Sequence, residues 1–394
     1  MRAPRRRLLA VALPAAAALA VPALATAPAA AQPAQADCGT QTGDTGTNAW
    51  TSHAELEREL TGLEARSKGT MDLDVIGQTN QGRDIFAARV GTGDRVVLVQ
   101  SEIHGNEKTG PDAVVNLLKT LTSPSPQAQQ LRENVTVVAI PKMNADGAEL
   151  DRRGNDRTWA EVVADFPQLA EARPAWNYYT RTLQGDDYAS RPGFDVNRDF
   201  NPDLDYVPSA SDFPGNSGTA GWYIQPEAQA VRDLYTGLKE EFGEVDSFVD
   251  LHHQAPCYLV EGGQDWVTLS LSGKFIDIDR HPGYADTYDL DYSKQLTVAA
   301  YDELQQASSP FSNVTLYPQN TDLPGTALGS FGLNGSGTVL FEVRGQTQSW
   351  GAKAKGQLVG AVERGLMGIV EAVADGSVDT IDTARYDAIP ETVR

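Results

Sequence analysis

The sequence predicts a single α/β domain in which helices cover both faces of a central, mixed and twisted sheet. Helical and strand-like patterns alternate from Thr51 onward, and such alternation builds a sheet between two helical layers. No internal repeat divides the chain, and α/β chains of this length commonly form one unit. We therefore expect one domain over residues 51–378, followed by a C-terminal tail at 379–394.

Each expected element follows from a local pattern. Short runs rich in aliphatic and β-branched residues predict strands at 72–76, 85–90, 95–100, 135–140, 247–251 and 338–343. Longer amphipathic stretches predict helices at 53–67, 111–121, 226–242 and 357–374. Pro226 lies in the first turn of the third helix, beside an acidic residue, as is typical of a helix N-terminus. Clear periodicity is lost at 153–193 and 201–220, which we interpret as surface insertions around the functional site.

The first 36 residues show the three-part pattern of a secretory signal peptide. Four arginines within the first seven residues precede an apolar stretch at 8–20 and small residues that end at Ala36. We expect cleavage after Ala36, a flexible arm at 37–50 and a secreted protein. No later run of about eighteen apolar residues is present, so we expect no membrane partner after cleavage.

Net charge and cysteine content indicate which partners the protein can bind and whether it forms a disulfide. The chain carries a formal net charge of −21 at pH 7, which opposes binding to nucleic acid and anionic lipid. We expect a monomer without a nucleic-acid partner. Cys38 and Cys257 are the only cysteines in an exported chain, so a disulfide between them is predicted, with two separate thiols as the alternative.

Three residues form the most informative pattern in the chain. His104 and Glu107 stand three residues apart directly after one apolar run, and His252 ends a second. Two imidazole nitrogens and one carboxylate oxygen leave the fourth tetrahedral position of a zinc ion open to water, as in catalytic sites. The sequence therefore predicts a zinc hydrolase with one ion. The remaining histidines are interpreted as structural or supporting residues: His53, His253 and His281.

Glu342 is the candidate general base. It lies in the otherwise apolar segment 337–345, which has the character of a central strand. Burial of a polar group without a partner costs roughly 2 to 7 kcal/mol on transfer scales. A carboxylate kept in such a strand is expected to face a cavity and take part in chemistry. An edge-strand residue facing water is the alternative.

Motif order gives the chain a family resemblance. Four motifs follow one another as His104-Gly105-Asn106-Glu107, Asp195-Val196-Asn197-Arg198, Asp250-Leu251-His252 and Phe341-Glu342-Val343-Arg344. In this order they resemble the zinc carboxypeptidases of the carboxypeptidase A/B family, in a bacterial secreted form that carries His-Gly-Asn-Glu. The segment 76–85 looks like the leading hairpin of that family, and Met143-Asn144-Ala145-Asp146-Gly147 is similar to its Asn-Pro-Asp-Gly turn.

The resemblance implies roles in metal support and substrate binding. Asp195 matches the aspartate that accepts the remaining N–H of the first zinc-bound imidazole; a turn before Asn197 is the alternative interpretation. Asn197 and Arg198 match the pair that binds the terminal carboxylate of the substrate, to which a guanidinium can donate two hydrogen bonds. A surface salt bridge is the alternative for Arg198.

The resemblance also implies the catalytic groups. Glu342 matches the base that takes a proton from the attacking water. The family places an arginine at the developing oxyanion, and Arg153 is the preferred match, with Arg152 and Arg181 left open.

The substrate pocket is less well defined by the sequence. Alignment with the family places Leu328 against the C-terminal side chain, which predicts a preference for aromatic or aliphatic residues there. The family's capping tyrosine falls on Thr321, so either Tyr317 takes its place or no tyrosine cap exists.

The sequence thus predicts a secreted zinc metallocarboxypeptidase that acts on peptide or protein C-termini. A murein-peptide hydrolase or an amino-acid deacylase with the same zinc site remains an alternative. A non-catalytic binding module of the same fold is a further one.

Overall fold

The computed structural model describes residues 50–182, 186–306, 311, 313–345 and 351–394. The predicted signal peptide and nearly all of the N-terminal arm, including Cys38, lie outside the described residues. These features, and the disulfide that depends on Cys38, stay predictions.

An eight-stranded sheet of mixed orientation forms the centre of the described chain. The strands found in the described residues are β1 (Met71–Gln78), β2 (Asp84–Val90), β3 (Arg95–Ser101), β4 (Val135–Ile140), β5 (Tyr178–Tyr179), β6 (Gly193–Phe194), β7 (Ser247–Gln254), β8 (Leu259–Val260), β9 (Leu269–Ser272), β10 (Val314–Leu316), β11 (Gly337–Arg344) and β12 (Thr392–Val393). The order across the sheet is β1-β2-β4-β3-β7-β11-β9-β10. The central strands β4, β3, β7 and β11 run parallel to one another, and antiparallel pairs flank them on either side.

Helices cover both faces of this sheet. Those in the described residues are α1 (His53–Ser67), α2 (Thr109–Leu121), α3 (Pro126–Asn134), α4 (Ala145–Glu149), α5 (Trp159–Asp165), α6 (Pro226–Phe242), α7 (Leu290–Leu304), α8 (Ala327–Leu333) and α9 (Gly351–Asp375). Val97 and Val99 of β3 join the core with α1, α2, α7 and α9. Val96 and Leu98 face the other way, into the core with α6 and α8. Because both faces of β3 are buried, its middle residues 96–99 are all apolar. With helices on both sides of a mixed sheet, the predicted fold class is confirmed.

The predicted elements recur with shifts at their ends. Helix α1 keeps its predicted bounds because Ser52 caps it in a capping box with Glu55. The stretch at 153–193, expected to be irregular, contains α5 and part of a separate apolar cluster that includes Val162 and Phe194. Aromatic and aliphatic side chains of this insertion pack on one another and on Phe213, Trp222 and Ile224. No helix in the described residues combines the length and apolar character needed to cross a membrane.

The central parallel strands direct their carboxyl ends toward one edge of the sheet. β3 pairs with β7, and β7 pairs with β11, all in the same direction. In this register Glu342 lies beside His252, while His104 follows the end of β3 by a short turn. Ligands of open α/β sheets bind outside the carboxyl ends of such strands.

Residues 379–394 are packed onto the domain. Tyr386 and Ile389 are buried in a cluster with Val298 and Leu316. Strand β12 then pairs with β8, in the loop that follows β7. The segment that the sequence presents only as a tail therefore reaches the edge of the sheet where His252 lies.

Candidate metal centre

Two imidazoles and one carboxylate converge at the carboxyl ends of the central strands. His104 and Glu107 lie in the turn between β3 and α2, and His252 lies in the second half of β7. One ligand atom from each side chain lies within 4.8 Å of the others, and all three residues are buried. The turn needs glycine at Gly105, because a Cβ there would lie 2.0 Å from the backbone carbonyl carbon of Gly147.

The two rings are oriented as metal ligands. Nδ1 of His252 lies 3.1 Å from Nδ1 of His104, and Glu107 oxygens lie 2.8 and 2.9 Å from these two atoms. Each Nε2 faces another carboxylate, at 3.2 Å from Asp195 for His104 and at 3.0 Å from Asp250 for His252. Because these carboxylates accept the Nε2 protons, both Nδ1 atoms present lone pairs toward Glu107. Three converging acceptors of this kind fit a zinc ion with one position left for water.

Asp195 supports the first imidazole. Its buried carboxylate also accepts hydrogen bonds from Nε of Arg153 at 3.0 Å and from the backbone N–H of Asn197 at 3.0 Å, and Nη2 of Arg153 lies 2.9 Å from it as an ion pair. The imidazole contact and the turn, which the sequence left as alternatives, therefore coexist. Burial opposes ionisation, but Arg153 and His104 hold the pKa of Asp195 well below its usual range. Asp195 thus stays an ionised acceptor.

Of the three candidate arginines, Arg153 reaches the metal centre. Its Nη1 lies 3.4 Å from Nδ1 of His104 and 4.0 Å from Oε1 of Glu107. Arg152 is buried and donates its hydrogen bonds to backbone carbonyl groups instead. Arg181 is exposed and does not line the cavity in front of the metal centre.

A short 3-10 turn at Val196–Arg198 presents the predicted carboxylate-binding pair. Asn197 is fixed because its Oδ1 accepts the backbone N–H of Ala327 at 3.1 Å. Arg198 donates to the backbone carbonyl of Asn197 at 2.6 Å. Both side chains line the cavity beside the metal ligands, so an amide and a guanidinium face the space open to a substrate.

Glu342 faces the same cavity from β11. Its Oε2 atom is buried and has no hydrogen-bond partner among the described residues. Burial raises the pKa of Glu342 to about 7; His252 opposes this shift and Glu107 adds to it. A carboxyl group with a pKa near neutrality can both accept and return a proton during a reaction.

A cavity of about 340 Å³ lies in front of these groups. Loop residues and Arg394, which directly follows β12, complete the wall of the cavity: Tyr258, Phe275, Tyr317, Leu323, Thr326 and Arg394. Tyr317 is among them, whereas Thr321 is not. Of the two positions considered from the sequence, the geometry therefore favours Tyr317 over Thr321 as the one close to a substrate.

The prediction that Leu328 lines the substrate pocket is wrong. Leu328 is 1% exposed and belongs to the apolar core on one face of the sheet. Helix α8 begins at Ala327, after Thr326 caps it by accepting the N–H of Gly329, and its first turn directs Leu328 inward. Thr326 and Leu323 line the cavity in its place.

Two residues of the site were assigned no individual function from the sequence, although Asp250 belongs to one of the quoted motifs. Asp250 is the acceptor for Nε2 of His252, and the alternation of a strand places residues two apart on the same face. The Asp-x-His spacing was therefore a usable signal. Arg394 reaches the cavity only through the packing of β12, for which the local sequence offers no sign.

The other histidines make contacts within the fold. Nε2 of His253 accepts the backbone N–H of Thr109 at 2.9 Å, and burial lowers the pKa of His253 to about 4. His53 bonds a backbone carbonyl at 2.8 Å, and His281 bonds Asp322 at 2.9 Å. In the described part of the chain, the group of side chains placed to hold a metal ion includes none of these three histidines.

Comparison with known proteins agrees with this geometry. A family model described as zinc carboxypeptidase matches residues 56–359. Bovine thrombin-activatable fibrinolysis inhibitor, solved in complex with tick carboxypeptidase inhibitor, is similar with 14% identity and a TM-score of 0.55, over 83% of this chain and 98% of that chain. Carboxypeptidase A from Helicoverpa armigera is similar with 16% identity and a TM-score of 0.50, over 82% and 74%. At these identities the structures show a shared fold.

Since the family model spans most of the chain and all three metal ligands, the protein belongs to the zinc carboxypeptidase family and is a metallocarboxypeptidase.

Proposed function

We propose that the protein is a secreted enzyme that removes the C-terminal residue from peptides, with Glu342 as its general base. The buried Oε2 of Glu342, without a partner among the described residues, carries this proposal. Leaving such an acid uncompensated costs free energy. A role in proton transfer beside the zinc ligands accounts for a buried carboxyl group at this position.

Glu342 moves the proton in the proposed reaction. His104, Glu107 and His252 would hold the zinc ion, which when bound would lower the pKa of water to about 7 and supply Lewis-acid polarisation of the scissile carbonyl. Glu342 accepts the proton of the attacking water and passes it to the leaving amine. Its position beside His252 in the strand register supports this assignment.

Arg153 is the proposed donor to the oxyanion. Its ion pair with Asp195 holds the guanidinium in place, while Nη1 is directed toward the metal centre. A donor fixed before the reaction stabilises charge as it develops, and loss of one such donor typically costs about 10²- to 10³-fold in kcat. The ion pair therefore serves catalysis by fixing the orientation of Arg153.

Asn197 and Arg198 are proposed to bind the terminal carboxylate of the substrate. Both line the cavity, and Arg198 forms no ion pair that would occupy it within the described part of the chain. A guanidinium matches a carboxylate through paired N–H groups. We therefore expect a free C-terminus to be required for turnover.

Hydrolysis of a blocked dipeptide with a free C-terminus tests the proposed function. We expect turnover that a chelator abolishes and added zinc restores, and little turnover of the matching C-terminal amide. A matched N-acyl amino acid separates a deacylase from a peptidase. Binding without turnover of any of these compounds would contradict the proposal.

Secretion is proposed from the N-terminal sequence pattern. N-terminal sequencing of protein recovered from the culture medium should begin at Asp37. Full-length chain retained in the cell would contradict this part of the proposal.

A further inference from the structure

Besides Arg198, the substrate cavity is lined by another arginine, Arg394, that has no carboxylate at ion-pair distance among the described residues. The guanidinium of Arg394 lies 4.5 Å from the ring centre of Tyr317 and 5.2 Å from that of Tyr258, and its side chain hydrogen-bonds Tyr317. Rings on the faces of a guanidinium hold its plane but leave part of its N–H edge available. Arg394 is therefore positioned to donate to a carboxylate that enters the cavity.

The segment that carries Arg394 is anchored to the domain. The Thr392 hydroxyl lies 2.7 Å from Ser270 Oγ and 2.7 Å from Thr315 Oγ1, and it donates to the carbonyl of Leu316 at 2.7 Å. The carbonyl of Pro390 accepts the N–H of Leu316 at 2.7 Å. These bonds, with the pairing of β12 and β8, fix the position from which Arg394 reaches the cavity.

The cavity differs in charge from the rest of the molecule. The chain carries a net charge of −21, yet three arginines line this cavity against two glutamates, Glu107 and Glu342. Arg153 is paired with Asp195, whereas Arg198 and Arg394 have no carboxylate partner at ion-pair distance in the described residues. If Arg198 binds the terminal carboxylate, Arg394 remains available for another anionic group.

We propose that Arg394 selects substrates that carry a second carboxylate next to the scissile bond, in addition to the terminal one. This inference rests on the proposed function and names its substrate class. The second carboxylate could belong to the leaving residue or to the residue before it, and both have the same chemistry toward a guanidinium. Placement of a lysine at the same position should instead be unfavourable, because two cations would meet.

Two pairs of blocked peptides of otherwise identical sequence test the inference. The first pair ends in Glu or Gln, and the second carries Glu or Gln at the penultimate position. We expect wild type to hydrolyse one Glu peptide with a kcat/KM about 10- to 100-fold above that of its Gln partner, the range of a charge-assisted hydrogen bond. The pair that shows the difference identifies the position of the second carboxylate.

Substitution of Arg394 should remove this preference. Arg394→Gln is expected to lower the Glu/Gln ratio of kcat/KM to near one, and Arg394→Glu should shift preference toward Lys at the same position. Arg58→Gln is the matched control, since Arg58 is exposed on α1 and the change in net charge is the same. The control should keep the wild-type ratio.

Several outcomes would overturn the inference. A wild-type ratio near one in both pairs would refute it, while turnover of the Gln peptides would leave the proposed function intact. An equal change on all four peptides in Arg394→Gln would show that Arg394 acts on Glu342 or on the terminal carboxylate instead. Faster hydrolysis of all four would show that Arg394 obstructs the cavity. No turnover of any peptide by wild type would reject both proposals.

Discussion

Replacement of Glu342 by glutamine tests the proposed base with the smallest change in shape. The substitution leaves His104, Glu107 and His252 in place, so zinc content should match that of wild type. General acid–base groups contribute about 10²- to 10⁴-fold in rate. We expect kcat on the blocked dipeptide to fall by that factor, because glutamine cannot carry the proton.

The same substitution should change how the stability of the metal-free protein depends on pH. Burial raises the pKa of Glu342 from 4.5 to about 7 in the folded state, so between these values the folded protein holds a proton that the unfolded chain has lost. The free energy of unfolding therefore falls as pH rises from about 4.5 to about 7. A pKa shift of this size corresponds to a fall of roughly 3 kcal/mol in the free energy of unfolding. Glu342→Gln should remove most of that pH-dependent fall.

Three measurements check the prediction. Turnover gives kcat, metal analysis gives zinc content, and urea unfolding with a chelator at pH 5 and pH 8 gives the stability difference. Glu57→Gln is the control, because Glu57 is exposed on α1. Less than a tenfold loss of kcat in Glu342→Gln would refute its role as base. Identical pH dependence of unfolding in wild type and variant would refute the raised pKa.

Two substitutions and one thiol titration address the metal site and the disulfide. His252→Ala should lower bound zinc, and full occupancy by metal analysis would remove His252 from the ligand set. Asp250→Asn should weaken zinc affinity by about 10- to 100-fold in a chelator competition, as for other partners of ligand imidazoles; unchanged affinity would show that the 3.0 Å contact with His252 does not support the ligand. Free-thiol titration of the denatured, unreduced protein should find no thiol if Cys38 and Cys257 are paired, and two reactive thiols would reject the bridge.

The metal ligands could be predicted because each follows from local sequence. His104 and Glu107 stand directly after an apolar strand, and His252 lies within another. Parallel neighbouring strands bring such positions together at one edge of the sheet. Glu342 was also accessible to sequence reasoning, because an acid in an apolar central strand requires an explanation.

Other parts of the site depend on packing that local sequence does not encode. Leu328 was misplaced because its side-chain direction is set by the start of α8 at Ala327, and alignment alone does not fix that residue. Arg394 was missed because it reaches the cavity through contacts of Thr392 with distant strands. Helix α5 was missed because it packs in an apolar cluster separate from the two cores of the sheet, with partners such as Phe213 and Trp222 that are distant in sequence.

The most direct test of C-terminal hydrolysis is mass spectrometry of a six-residue, N-terminally blocked peptide incubated with the zinc-loaded protein. The free acid should lose residues one at a time from its C-terminus, while the C-terminal amide of the same peptide should stay intact. Metal-free protein and Glu342→Gln should leave both peptides intact over the same period. Cleavage at internal bonds, or equal hydrolysis of acid and amide, would contradict the proposed carboxypeptidase activity.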